Sequence, residues 1–242
     1  MADRRGPIAF LRAFLPREGW ILVGTLAVVG ALLAFTLIAG EVAEGDTKAF
    51  DERILLGLRR ADQPAVPVGP SWLEDTALDL TALGSAGVLF IVVTAVLGYL
   101  LLERRYALLT VTLVSTIGGW LLGALLKEIF ARQRPSVVPH LQHVSSPSFP
   151  SGHAMESAVV YLTLGVLLAR STGDRRLRVY FVAVAMVLTF IVGMTRVFLG
   201  VHYPTDVLGG WLAGVSWAVL CALVERALER RGVSPEPPAA SP

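Results

Sequence analysis

Three short segments of this 242-residue chain carry side chains that could do chemistry together. The first is Lys127-Glu-Ile-Phe-Ala-Arg-Gln-Arg134-Pro135. The second is Pro150-Ser151-Gly152-His153. The third runs from Thr195-Arg196 to His202-Tyr-Pro-Thr-Asp206. Lys127, Arg134 and Arg196 are three cations that would repel one another unless an anion sat between them. Phosphate suits that place, because Arg offers bidentate donors and Lys a point charge. Ser151 stands where a helix N-cap would be, with Gly152 and His153 behind it. A hydroxyl, free backbone N–H groups and the positive end of a helix dipole then face the same spot. Gly152 lets the backbone approach an anion with no Cβ in the way. The result is an anion cradle that needs no metal and no cofactor.

The same segments supply reactive groups. His202 precedes Pro204, which suits the first position of a helix, so Asp206 falls in that helix's first turn. Four residues on, its carboxylate can reach back to the imidazole. An Asp on one ring nitrogen fixes the tautomer and leaves the other nitrogen as nucleophile or base. His153, at the edge of the cradle, could protonate a leaving oxygen. Spacing alone does not say which histidine attacks.

The elements that must bring these segments together are membrane helices. The chain is 54% hydrophobic and only 17% charged, with a mean hydropathy of +0.64 and long uncharged runs. Those runs match a bilayer, where a span needs about 20 apolar residues. They exclude disorder, a coiled coil and a disulfide-stapled fold; the single Cys221 cannot close an internal bridge. A net charge of +2 gives no reason to expect nucleic acid. Six spans are expected: Ile21–Ala39, Thr81–Leu102, Tyr106–Leu126, His153–Ala169, Val179–Thr195 and Val207–Val224. The fold class is all-α, an integral-membrane six-helix bundle. Residues 1–232 form one domain, and a Pro-rich disordered tail follows at 233–242. The first run is too long for a signal peptide, and Ala39-Gly40-Glu41 is a poor cleavage site, so it reads as a retained helix.

Positive residues set the orientation. With the N-terminus in the cytoplasm, the inner segments hold Arg4, Arg5, Arg12 and Arg17, then Arg104 and Arg105, then Arg170, Arg175, Arg176 and Arg178, then Arg226, Arg230 and Arg231. Both termini are then cytoplasmic, and the three reactive segments meet at the outer, periplasmic face. Gly40–Asp79 is an outer loop in which Phe50–Arg60 has helical spacing and lies at the surface, on the membrane or simply in solvent. Gly118, Gly119 and Gly123 read as close helix-packing positions. His140 and His143 read as spare loop histidines, since no Cys or nearby carboxylate completes a metal site. Glu156 either pairs with a clamp cation or assists phosphate release, or it merely favours its helix dipole. Arg132 joins the clamp or stays in solvent, and Glu74 and Asp79 are left open.

These residues together resemble the type 2 phosphatidic acid phosphatase superfamily. Lys127 through Arg134-Pro135 is similar to its first signature, Pro150-Ser151-Gly152-His153 to its second, and Arg196, His202 and Asp206 to its third. Thr195 stands where the family usually has Ser, and keeps the hydroxyl. The resemblance implies a metal-independent lipid phosphatase. In it His202 attacks phosphorus to give a phospho-histidine, Asp206 aids it, and His153 is the acid for the leaving group. Lys127, Arg134, Ser151, Gly152 and Arg196 hold the phosphoryl oxygens.

The substrate is then a membrane lipid phosphate or diphosphate, with a polyprenyl diphosphate such as undecaprenyl diphosphate or phosphatidylglycerophosphate foremost by analogy. A lipid phosphotransferase using the same histidine is the alternative within enzymes. A transporter would more often show repeats and mid-membrane charges, neither of which is evident, and a non-catalytic lipid-binding module should have lost His202 or Asp206, both of which are present. The related haloperoxidases are soluble, which six spans argue against. Arg-rich inner loops and modest length fit a bacterial inner membrane. The sequence carries no signal for oligomeric state.

Overall fold

The computed structural model describes residues 19–230, which form eight α-helices and no β-strand. They are α1 (Gly19–Glu44), α2 (Lys48–Gly57), α3 (Ser71–Ala82), α4 (Ala86–Leu102), α5 (Tyr106–Phe130), α6 (Gly152–Arg170), α7 (Arg175–Phe198) and α8 (Pro204–Arg230). The basic leader at Arg4, Arg5, Arg12 and Arg17, Arg231 and the tail at 233–242 lie outside the described residues.

Helices α1, α5, α6, α7 and α8 are each long and apolar enough to cross a membrane. Their outer faces carry large apolar side chains with no protein over them, among them Leu26, Leu33 and Leu37 of α1 and Leu125 of α5. Contiguous exposure on that scale suits hydrocarbon rather than water.

The span expected from Thr81 to Leu102 is not one helix. It is α3 and α4, bent by 42° at the break, and only as a pair do they make the sixth candidate span. Apolarity carries through the break, which is why hydropathy alone does not reveal it. The cause is local. Gly84 is a poor helix residue, and Ser85 caps α4, its Oγ accepting from Val88 N–H at 3.4 Å. A Cβ on Gly84 would lie 2.3 Å from Val192 Cγ1 and 3.3 Å from His153 O, so the break seats the chain directly on α6 and α7.

The stretch expected as an outer loop holds two helices rather than one. The surface helix expected at Phe50–Arg60 is α2, and one face of it is covered. Asp51 and Leu55 are fully buried, with Leu55 packed among Val138, Val197, Tyr203 and Val207. α2 therefore caps one end of the bundle.

Helices α6, α7 and α8 form the centre, with α1 against α8 and α5 across α6. Gly210 and Gly214, one turn apart on α8, let the backbones of α6 and α8 meet. A Cβ at either would lie 2.6 Å from a carbonyl of α6, that of Ser151 or Met155. Ser151 N–H donates to Asp206 O at 2.9 Å across this seam. The start of α6 and the first turn of α8 are thereby fixed against each other. On the other side of α6, Gly119 faces Val159, Gly118 lies under Trp217, and Gly123 faces Met155.

Candidate active site

The bundle end capped by α2 gathers the three reactive segments. α5 ends there at Phe130, with Ala131 in the left-handed region, φ 42°. Lys127 thus leaves the last turn of α5, and Arg132 and Arg134 follow in extended chain. α6 starts there at Gly152. α7 ends at Phe198, placing Arg196 in its last turn. Gly200, φ 73°, lies in the turn between α7 and α8, and His202 sits in that turn two residues before α8 begins. Pro204 opens α8 and Asp206 sits in its first turn, as the sequence spacing requires.

His202 and Asp206 are 2% and 0% exposed. His202 Nδ1 lies 3.4 Å from Asp206 Oδ2, and Arg134 Nη1 lies 3.3 Å from His202 Nε2. An arginine can only donate. Nε2 therefore carries the lone pair, and the ring proton sits on Nδ1, facing the carboxylate. Two neighbours on opposite sides of the ring select the same tautomer. Burial pushes the imidazole down to about 3, although Asp206 pulls it upward, so His202 is neutral near pH 7. A neutral imidazole whose Nε2 is unprotonated becomes a nucleophile once Arg134 turns from it to a phosphoryl oxygen.

Asp206 is held on both oxygens. Oδ2 accepts from the Ser148 hydroxyl in a short hydrogen bond and from Tyr203 N–H at 2.8 Å. Oδ1 accepts from Arg132 Nη1 at 2.6 Å. Arg132 is thus not part of the phosphate clamp and not in solvent. Its other arm, Nη2, donates to Asp51 Oδ2 at 2.9 Å and to Thr47 Oγ1 at 3.0 Å, and its guanidinium lies 4.3 Å over the Tyr203 ring. Burial alone would lower the Arg132 pKa; Asp206 and Asp51 outweigh that and raise it. Asp51 also accepts from Thr205 N–H at 3.1 Å and Thr205 Oγ1 at 2.6 Å. A chain of buried charge runs from α2 through Arg132 to the carboxylate behind His202.

The clamp residues have a different character. Among the described residues, Lys127, Arg134 and Arg196 have no carboxylate within 4 Å. Their partners are neutral. Lys127 Nζ donates to Pro147 O at 2.7 Å. Arg134 donates to Ser146 O at 2.7 Å and Val201 O at 2.6 Å. Arg196 donates to Thr81 Oγ1 at 2.9 Å and, in a short bond, to Gln142 Oε1. Arg196 is buried and Lys127 and Arg134 are half-buried, and desolvated cations without a counter-ion are costly unless an anion binds among them. Ser151 Oγ is fully buried without a hydrogen-bond partner, and Ser151 caps α6 without using its side chain. A Cβ added to Gly152 would lie 3.4 Å from Lys127 Cε. His153 feels the charges of Arg196, His202, Lys127 and Arg134, which brings it into the same cluster. All eight residues singled out by spacing therefore converge.

The remaining candidates fall elsewhere. His140 Nε2–H donates to Pro135 O at 2.7 Å and braces the loop, and His143 is exposed. Asp79 is exposed, while Glu74 acts electrostatically on Arg59. Thr195 Oγ1 donates to Val192 O of its own helix at 2.7 Å. Spacing missed Asp51, Ser148 and Thr205. Ser148 lies two residues before Pro150 in a Ser-rich run that gave a usable signal; Asp51, 81 residues from Arg132 and 154 from Thr205 in sequence, gave none.

This constellation has relatives. The PAP2 superfamily model matches residues 105–230. Phosphatidylglycerophosphatase B of Bacillus subtilis is 33% identical over 191 residues, covering 77% of this chain and 89% of that relative. Lipid A 1-phosphatase of Rhizobium johnstonii is 34% identical, over 52% of this chain and 55% of that protein's length. Among solved structures, the transmembrane PAP2-type phosphatidylglycerolphosphate phosphatase of Bacillus subtilis superposes with a TM-score of 0.75 at 28% identity, covering 84% of this chain and 98% of that one.

Proposed function

The chain belongs to the PAP2 superfamily, and from that premise we propose that it is an integral-membrane lipid phosphatase working through a phospho-histidine at His202. The observation that carries this reading is the His202 ring held between Asp206 and Arg134, in a cluster where Arg134, Lys127 and Arg196 have no carboxylate within 4 Å among the described residues. Phosphoryl transfer asks little covalent chemistry of a protein; positioning and charge do most of the work.

The phosphoryl oxygens lie among Lys127, Arg134, Arg196, the Ser151 hydroxyl and the N–H groups at the start of α6. Nε2 of His202 attacks phosphorus in line, the P–O bond to the lipid breaks, and His153 gives the departing oxygen its proton. The Nδ1 proton stays on His202, and the positive charge that develops on the ring is balanced by Asp206. Neutral His153 then takes a proton from water, hydroxide attacks phosphorus, and the P–N bond breaks to release phosphate and restore His202. Asp206 orients and balances charge; with Arg132 on its second oxygen it is not the proton acceptor.

The substrate we infer is a lipid phosphomonoester of the phosphatidylglycerophosphate kind. The Bacillus subtilis relative and the solved Bacillus subtilis structure, whose lengths this chain nearly spans, both carry that name. The positive-inside rule supports a site at the outer face of a bacterial inner membrane, with both termini inside. The test is phosphate release by protein purified in detergent, with EDTA present, from phosphatidylglycerophosphate, phosphatidate and a polyprenyl diphosphate. Release that survives EDTA and is lost in His202→Ala supports the mechanism. Loss with EDTA contradicts it. Transfer of the phosphoryl group to an added lipid in place of water moves the reading to a phosphotransferase.

A further inference from the structure

The end of the bundle remote from the cradle holds charges that the chemistry above does not use. Arg170 is the last residue of α6, about 27 Å along that helix from Gly152 at 1.5 Å per residue. Glu225 and Arg226 lie near the end of α8. Glu225 is 5% exposed, and its Oε2 lies 2.5 Å from Arg170 Nη1. Arg226 comes next in sequence. It is exposed, and among the described residues it has no carboxylate within 4 Å. Arg170 and Glu225 balance each other, so the net charge of these three side chains is that of Arg226.

The same three side chains stand at one end of a cavity of about 210 Å³ between α1, α5, α6 and α8. Each helix contributes from its half remote from the cradle: Gly24 of α1, Leu108 and Val111 of α5, Leu162 and Val166 of α6, and Ala218 of α8. From Leu162 to Arg170 on α6, and from Ala218 to Arg226 on α8, the wall rises by about 12 Å. The inner end carries two threonine hydroxyls, and both are turned to protein partners. Thr112 Oγ1 donates to Leu108 O at 2.8 Å, and Thr163 Oγ1 lies 2.9 Å from Ser115 Oγ. Hydrocarbon can therefore lie there without stranding a polar group. The order along the cavity is apolar wall first and cation last.

An anionic phospholipid has the same order, hydrocarbon and then phosphate. We propose that the cavity holds an acyl chain of an anionic phospholipid from the leaflet opposite the cradle, with the lipid phosphate on Arg226. Basic pockets between membrane helices suit such headgroups. A zwitterionic lipid gains less there, because its own cation repels Arg226. The site holds lipid and does no chemistry on it; among the described residues no histidine lines it. Its walls include α6 and α8, which carry Ser151 and Asp206 at their other ends. A lipid seated there braces those two helices against α1 and α5. The proposal does not depend on the phosphatase reading.

Cys221 is the single cysteine of the chain and lines this cavity, so it reports occupancy. Wild type and Arg226→Gln are placed in phosphatidylcholine nanodiscs, with or without an equal share of phosphatidylglycerol, and labelling of Cys221 by N-ethylmaleimide is followed. The reagent is uncharged, so the charge of the bilayer does not alter its supply. Phosphatidylglycerol is expected to slow the labelling of wild type. The protection is expected to be about fivefold weaker in Arg226→Gln, the worth of one cation near an anionic lipid. Equal rates in the two bilayers for wild type, or equal protection of the variant, overturn the proposal. Native mass spectrometry supplies a reading that needs no reactive thiol. Wild type is expected to retain more phosphatidylglycerol than Arg226→Gln, and equal retention overturns the proposal. Phosphatidylglycerol held at the cradle counts equally in both proteins, because Arg226 is remote from it, so none of these outcomes bears on the phosphatase reading.

Discussion

Arg132 Nη1 lies 2.6 Å from Asp206 Oδ1, the carboxylate oxygen turned away from the His202 ring. With Arg132 Nη2 on Asp51, one guanidinium balances two carboxylates that are both fully buried. Removing one partner of a buried pair leaves uncompensated charge, at a cost of about 3–5 kcal/mol. Arg132→Gln is therefore expected to lower the unfolding midpoint in detergent strongly. It is also expected to reduce kcat more than it raises KM, because Asp206 loses its hold on the imidazole and not on the substrate. A double-mutant cycle with Asp51→Asn should return a coupling of about 0.5–3 kcal/mol, as for residues that share one network. Additive effects would contradict the link between α2 and the site.

Ser151 makes the opposite prediction. Its hydroxyl is buried and unpartnered, so Ser151→Ala removes an unsatisfied polar group. Stability is expected to stay level or rise. Activity is expected to fall by about 10²-fold, the scale for losing one donor to a developing anion. Parallel melting curves and kcat/KM values check both halves.

His202 ties stability to pH. Its value falls to about 3 in the folded protein, against about 6.5 when unfolded. Between those values the unfolded chain binds the extra proton, so this contribution is whole above 6.5 and is lost as pH falls toward 3. His202→Asn removes the dependence. Relative to that variant, wild type should lose about 2 kcal/mol between pH 7.5 and 5, at 1.36 kcal/mol per pKa unit. Denaturant unfolding at the two pH values measures it.

The orientation is tested with single cysteines in a Cys221→Ala background. Ser145, in the exposed loop before α6, is expected to react with a membrane-impermeant maleimide in intact cells. Gly173, at the opposite end of the bundle, is not. The reverse pattern would put the site on the cytoplasmic side.

Much of this arrangement was legible in the sequence, because the site is assembled from helix ends. A cap at Ser151, a proline at the first position of α8 and a four-residue step from His202 to Asp206 are local features. Local features fix where these side chains point. Hydropathy found five spans directly and the sixth in outline. It could not find the break at Gly84-Ser85, where apolar character continues while the helix stops. It also could not find the support behind Asp206. Asp51 belongs to a helix that looks like an ordinary polar surface segment, and only the packing of Leu55 turns its acidic face inward. Arg132 sits between two signature residues, and spacing does not tell an arginine that binds phosphate from one that binds two carboxylates.

The central claim is that His202 becomes phosphorylated. It is tested by rapid-quench mixing of the purified protein with lipid labelled at its terminal phosphate, followed by peptide mapping. The account predicts an acid-labile, base-stable phosphoryl group that appears before free phosphate and maps to the peptide containing His202. It should be absent in His202→Ala. Phosphate release with no labelled protein at any mixing time, or release that persists in His202→Ala, would contradict it.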